Sequence, residues 1–348
     1  MKRTVLTVIV LLISLFAQAT GEGEKGMIYN PGKTIFEHLE DEYGWTVVMP
    51  KGRSFYLPLP VIVVSDEGEW SCFSSSHLRG GKEYKGYRVA TDGEYSSKIV
   101  ATDASGNVYR PWDISITKDV LAIMIAMLLV VLSMGALVRW YNRNPLKAPR
   151  RLLGLLESII EMIYTEGIQP ILKNRSHFYA PYLMTAFFFI LYSNLMGLMV
   201  LFPAGANVTG NINVTFFLAL CTFIIVNVSA NKKYWKDIFA PKVPILLKFP
   251  FPVMQLVEFI GIFTKPIALM VRLFANMMSG HLIVLVLISL IFVLASFGPV
   301  VLGTSTILAV VLTVFMNFID ILISFIQAYV FMILSTIFIG LAVETDEN

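Results

Sequence analysis

Six residues able to hold or pass charge lie in the most apolar third of this chain: Glu258, Arg272, Asn276, His281, Asp320 and Gln327, with Lys265 among them. Arginine stays protonated in proteins. Setting it at the middle of a bilayer helix costs about 2.5–3.5 kcal/mol on the mildest scale. A chain tolerates that only where water, a partner helix or a partner carboxylate compensates, so intramembrane charge of this kind marks a functional site. Helical spacing, about 100° per residue, sorts these residues into faces. Glu258, Lys265 and Arg272 follow one another at intervals of seven and share one stripe, which Asn276 joins. His281, nine residues past Arg272, falls nearly opposite, while Asp320 and Gln327 share a face of the next apolar stretch. Buried hydrogen-bonded pairs that only specify helix packing are the bland alternative. The number of ionisable groups, an arginine included, argues against it.

The elements that must position these groups are membrane helices. The 348 residues are 56% hydrophobic and 15% charged, with mean hydropathy +0.70, whereas soluble domains carry about 25% charged residues. The deficit is confined to the part after residue 118. Lys2 and Arg3, the apolar run Val5 to Phe16, and Ala17-Gln18-Ala19 read as a secretory signal peptide over 1–19, too short to span. That makes 20–118 an exported domain and 119–348 a membrane domain. Cys72 and Cys221 lie one in each part, so no disulfide between them is expected. No metal-ligand spacing is present, and nothing calls for a cofactor or a nucleic-acid partner.

Within the exported part, Phe55 to Val64 is the strongest strand candidate, its prolines restricting it to a sheet edge. Tyr84 to Val89 and Lys98 to Thr102 are shorter strand candidates, and Asp92-Gly93 and Ser105 to Asn107 mark turns. Val120 to Val138, Tyr179 to Phe202 and Asn213 to Ala230 read as spans, and Leu152 to Leu172 as an amphipathic surface helix. Phe251 to Val300 and Ser305 to Val343 are too long for single upright spans. Either each breaks, with Pro266 a possible kink, or each is a long tilted helix. The fold expected is an all-α multi-pass membrane protein with about five membrane helices, a surface helix and a small β-rich N-terminal extramembrane domain.

Lysine and arginine crowd the connections at 139–151 and 231–248 and are absent from those at 203–212 and 296–304. The positive-inside rule puts the basic pair in the cytoplasm, the amino terminus outside and the carboxyl terminus inside. The signal peptide points the same way.

The run Lys265-Pro266 through Arg272-Leu273-Phe274-Ala275-Asn276-Met277 to Gly280 resembles the signature of subunit a of F-type ATP synthases. Gln327-Ala-Tyr-Val-Phe-Met-Ile-Leu334 is similar to that subunit's final helix, and Asn194-Leu-Met196 to Pro203 with Asn213-Val-Thr215 to its middle spans. The likeness covers about residues 119 to 345; the exported part is longer than the family's usual leader. It implies a non-catalytic ion-path subunit of a bacterial inner membrane. The implied partners are a c-subunit ring, b-type peripheral stalk subunits and, indirectly, a soluble catalytic head.

The resemblance also assigns roles. Arg272 matches the arginine facing each passing c-subunit carboxylate, Gln327 the glutamine beside it and Asn276 the polar neighbour one turn on. Glu258 matches the acid of the cytoplasmic half-channel. His281 and Asp320 match the polar pair of the periplasmic one, with histidine and acid exchanged relative to a common pattern, and Ala275 replaces a frequent glycine. A ring carboxylate must be neutral to face lipid. Arg272 would favour its ionised form and block a direct leak between half-channels. The residues alone leave open a secondary transporter binding an anion at Arg272, although no internal repeat is evident. An intramembrane enzyme is the poorest reading, for no serine is paired by motif with a base.

Overall fold

The computed structural model describes residues 41–49, 53–65, 68–79, 81–90, 95, 97–102, 108–145, 147–198, 207–239, 253–294 and 299–343. The signal segment, the turns at Asp92-Gly93 and Ser105 to Asn107, and the acidic tail lie outside them. The chain divides into two compact units: Met1–Ala122 with Val200–Ala206 and Ile288–Ser305, and Ile123–Met199 with Asn207–Leu287 and Thr306–Asn348.

The first unit holds the β-rich part. Strand β1 (Gly44–Met49) pairs antiparallel with β2 (Arg53–Pro58). Strand β3 (Pro60–Val64) lies between β4 (Trp70–Ser74) and β8 (Trp112–Asp113), and β6 (Ile99–Thr102) between β5 (Tyr87–Val89) and β7 (Val108–Tyr109). The run Phe55 to Val64 is therefore not one edge strand. It breaks at Leu59, and its second half is a central strand. Proline is tolerated there because Pro60 is the first residue of β3; its carbonyl accepts from Ile116 N at 3.2 Å. Alternation puts Val61 and Val63 on the inner face, fully buried with Phe73, Tyr87 and Ile99. Tyr43 OH donates to Asp113 and accepts from Ile99 N at 3.3 Å, joining two sheets. Burial, then the Asp113 carboxylate, pushes that phenol well above its ordinary range.

Helix α1 (Lys118–Arg143) starts directly from this unit. Its first N–H groups, which have no partner within a helix, are met by Glu42 O at 3.0 Å for Lys118 and by Asp41 Oδ1 at 3.1 Å for Asp119. Helix α2 (Leu152–Met162) runs on through a π-helical turn (Ile163–Ile168) and a last short turn (Gln169–Leu172). Its first part buries nothing, with Leu152 and Leu155 exposed. The π turn buries Ile163 and Ile168, and the last short turn buries Leu172. Then come α3 (Ser176–Leu198), α4 (Ile212–Ser229) and the short α5 (Lys232–Phe239).

Helices α6 (Val253–Leu294) and α7 (Pro299–Val343) are each continuous, 42 and 45 residues long. At 1.5 Å per residue each exceeds about 60 Å, twice the ~30 Å hydrocarbon core. Pro266 sits inside α6 without ending it. The second of the two expectations for these stretches, long unbroken helices, is the one observed. Lys265 lies by Phe338, and Gly280 by Asp320. Contacts that climb α6 thus descend α7, so the two are antiparallel neighbours.

Among the described residues five helices are long and apolar enough to cross a membrane. Their outward faces are apolar: Val131, Phe217 and Phe318 are each more than 60% exposed. A water-soluble surface would present polar side chains at these positions. This is a multi-pass membrane protein.

Candidate functional site

The site is built on α6 and α7, and its first feature is an outward charge. Arg272 is exposed on α6, as are Val271 and Ile267, while Leu269 and Leu273 point inward and are 2% exposed. The helix thus turns its guanidinium toward what surrounds the chain and its leucines toward the bundle.

Behind Arg272, on the carboxyl-terminal side of α6, lies a cavity of about 10 Å³, room for about one water. Asn276, His281, Asp320 and Gln327 all line it, with Asn194 from α3, Ser324 from α7 and the packed face Leu273, Met277 and Gly280. Four of the six residues picked from sequence are therefore brought to one place. Asp320 is only 7% exposed, and its Oδ2 is buried without a hydrogen-bond partner among the described residues. A carboxyl so placed is high in energy if ionised and unpaired. The carboxylate lies against bare backbone. A Cβ at Gly280 would stand 3.0 Å from Asp320 Oδ1, so glycine there lets the two helices close over the acid.

A polar network holds this wall. Asn194 Nδ2 donates to Ser324 O at 3.4 Å and its Oδ1 accepts from Thr209 Oγ1 at 2.5 Å. Ser324 Oγ donates to Asp320 O at 2.7 Å. Asn194 and Ser324 were not among the residues picked from sequence. The available signal was an asparagine inside the apolar run Phe187 to Met196, which a membrane helix keeps only with a partner.

On the amino-terminal side of Arg272 a second cavity, of about 20 Å³, is lined by Thr222 and Asn227 of α4, Tyr234 of α5, Ile262, Lys265 and Pro266 of α6, and Phe338 of α7. Glu258 is half-buried on α6 and is felt at Tyr234. Burial first, then the Glu258 charge, raises the Tyr234 phenol above its ordinary value. Glu258 and Arg272 line neither cavity.

Comparison with known proteins bears on what such an arrangement belongs to. The model of the ATP synthase A chain family matches residues 120–340, a span that holds all six site residues. The chain is 36% identical to ATP synthase subunit a of Chlorobium phaeobacteroides over 264 residues, 72% of this chain and 74% of that one. It is 39% identical to ATP synthase subunit a of Myxococcus xanthus, over 66% and 74% of the two chains. It is 34% identical to ATP synthase subunit a 2 of Prosthecochloris aestuarii, over 77% and 83%. The chain belongs to the ATP synthase A chain family. The part before α1 matches a different model, a domain of unknown function (DUF8433), over residues 34–114. In this ATP synthase A chain member the part ahead of the family's helices thus matches a family model of its own.

Proposed function

We propose that this chain is the stator-side proton-translocating subunit of a rotary F-type ATP synthase. One observation carries the reading: Arg272 turns outward from α6 with a cavity that includes polar groups on either side of it along the helix. An outward arginine at membrane depth is costly against lipid alone, and a carboxylate on a neighbouring protein offsets that cost. A c-ring whose carboxylates pass one at a time fits, since each would ionise beside Arg272 and be neutral when turned to lipid. The two cavities, separated along α6, serve as two access routes. Asp320, His281, Asn276 and Gln327 line the periplasmic one, and Glu258 stands at the cytoplasmic one. The fixed charge of Arg272 between them opposes direct passage of a proton.

In this reading the amino-terminal module is periplasmic, following a signal peptide over 1–19, and the carboxyl terminus is cytoplasmic. The 20–118 module and the 119–348 membrane domain are separate. The chain performs no bond-making; ATP forms in the soluble head, held by b-type stalk subunits.

ATP-driven proton uptake in inverted vesicles, with assembly measured in parallel, tests this. Arg272→Ala is expected to abolish uptake while ring, stalk and head still co-purify. Undiminished pumping by that variant would overturn the proposal and bring forward an anion transporter using Arg272.

A further inference from the structure

The lining of the larger cavity includes Thr222, Asn227, Tyr234 and Lys265, to which the ion-path reading gives no individual task. Thr222 Oγ1 lies 2.8 Å from Tyr182 OH and 3.4 Å from Ser335 Oγ, so three helices share one buried hydroxyl cluster at its edge. Asn227 spends its amide nitrogen on Phe223 O at 2.7 Å, which makes its oxygen the acceptor available there. Lys265 Nζ stands 5.9 Å from the centre of the Phe338 ring. Tyr234 is delivered by the corner between α4 and α5. That corner is fixed by Asn231, whose N donates to Ala342 O at 2.9 Å and whose Nδ2 donates to Val343 O at 2.6 Å. Those bonds cap the carbonyls at the end of α7 and place Tyr234, one turn on, over the cavity.

We propose that this cavity holds a water through which protons pass between Glu258 and the cytoplasm, and that the Tyr234 hydroxyl orients and relays through that water. The inference rests on the ion-path reading. At about 20 Å³ the space exceeds the ~10–15 Å³ one water needs, and it offers the two to four polar partners a buried water requires. An ammonium group has donors only. A water beside Lys265 must therefore offer its oxygen lone pair to it and turn its own hydrogens away, toward Tyr234 or Asn227. A phenol both donates and accepts, so Tyr234 can take a proton from that water and give its own onward. One O–H bond forms and one breaks at each oxygen, and both groups end as they began. The phenol remains protonated at working pH, as the upward push on it from burial and the Glu258 charge requires. Tyr234 is thus a positioning and relay residue, separate from the carboxylate exchange at Arg272.

The experiment compares ATP-driven proton uptake by Tyr234→Phe, Tyr234→Gln and Arg272→Ala in the whole complex at equal assembly. Tyr234→Phe, which removes one oxygen and keeps the ring, is expected to slow uptake about fivefold. Tyr234→Gln, which restores a donor and an acceptor but whose amide does not hand a proton on, is expected to stay about as slow as Tyr234→Phe. Wild-type uptake by Tyr234→Phe, with Arg272→Ala inactive, would overturn the relay and leave the ion-path reading standing. Full recovery by Tyr234→Gln would make the hydroxyl an orienting group only, and failure of Tyr234→Phe to assemble would make it a packing group; either would equally overturn the relay. Full activity of Arg272→Ala would overturn the underlying reading instead.

Discussion

The two cavities along α6 are built on opposite principles. The one on the carboxyl-terminal side of Arg272 buries its acid: Asp320 is nearly inaccessible, pressed against Gly280, and walled by a hydrogen-bonded network anchored on Asn194. The one toward α5 has no acid in its lining: Glu258 is half-buried elsewhere on α6, and Thr222, Asn227, Tyr234 and Lys265 share the space with apolar groups such as Phe223, Val226 and Phe338. The first cavity therefore has a carboxyl in its lining and the second does not. Arg272, between them along α6 and facing outward, belongs to neither.

The largest effect that would break this contrast lies at Asp320. In the assembled complex Asp320→Asn is expected to cut ATP-driven proton uptake about a hundredfold, against a several-fold loss for Glu258→Gln. Equal losses would erase the difference between the cavities. Joining His281→Asp with Asp320→His, which restores an acid and a base in exchanged order, should return a measurable part of the rate. No gain over Asp320→Asn alone would show that His281 and Asp320 do not work as a pair.

Gly280→Ala comes next. The added methyl meets the Asp320 carboxylate and must part α6 from α7, a strain of about 1–3 kcal/mol. Uptake should fall several-fold, while the equivalent change at Gly303, where a Cβ meets nothing within 4 Å, leaves it alone. Similar behaviour at both glycines would remove the argument for close packing over Asp320.

Asn194→Ala sharpens the contrast through stability. It strips Thr209 and Ser324 O of a buried partner at about 1–3 kcal/mol, seen as earlier heat unfolding of the purified complex. An unchanged melting curve would deny the network that role. The smallest effect is Thr222→Val, which loses the bonds to Tyr182 and Ser335. It should cost about 1 kcal/mol in the same assay, and a loss equal to that of Asn194→Ala would contradict the contrast between the two cavities.

Much of this was legible from the chain. Hydropathy alone placed the spans, because lipid demands long apolar helices whatever their neighbours. Helical spacing put Asp320 and Gln327 on one face, and they line one cavity. The strand Phe55 to Val64 was misjudged because proline's restriction depends on which residue of a strand it occupies, and pairing sets that. Tyr234 went unnoticed because a tyrosine in a short basic segment has no signature until another helix is seen beside it.

What the sequence determined by itself was the membrane class, the number of long helices and the charged residues they must accommodate, since these follow from the cost of polar groups in hydrocarbon. It also carried the motif by which the family is known. Only the tertiary structure decided that α6 and α7 run unbroken and antiparallel, that Gly280 meets Asp320, and that Arg272 faces out while His281 faces in among Asn194, Asp320 and Gln327. Spacing along one helix sets relative angles. Which angle points inward is settled by the packing of the other helices.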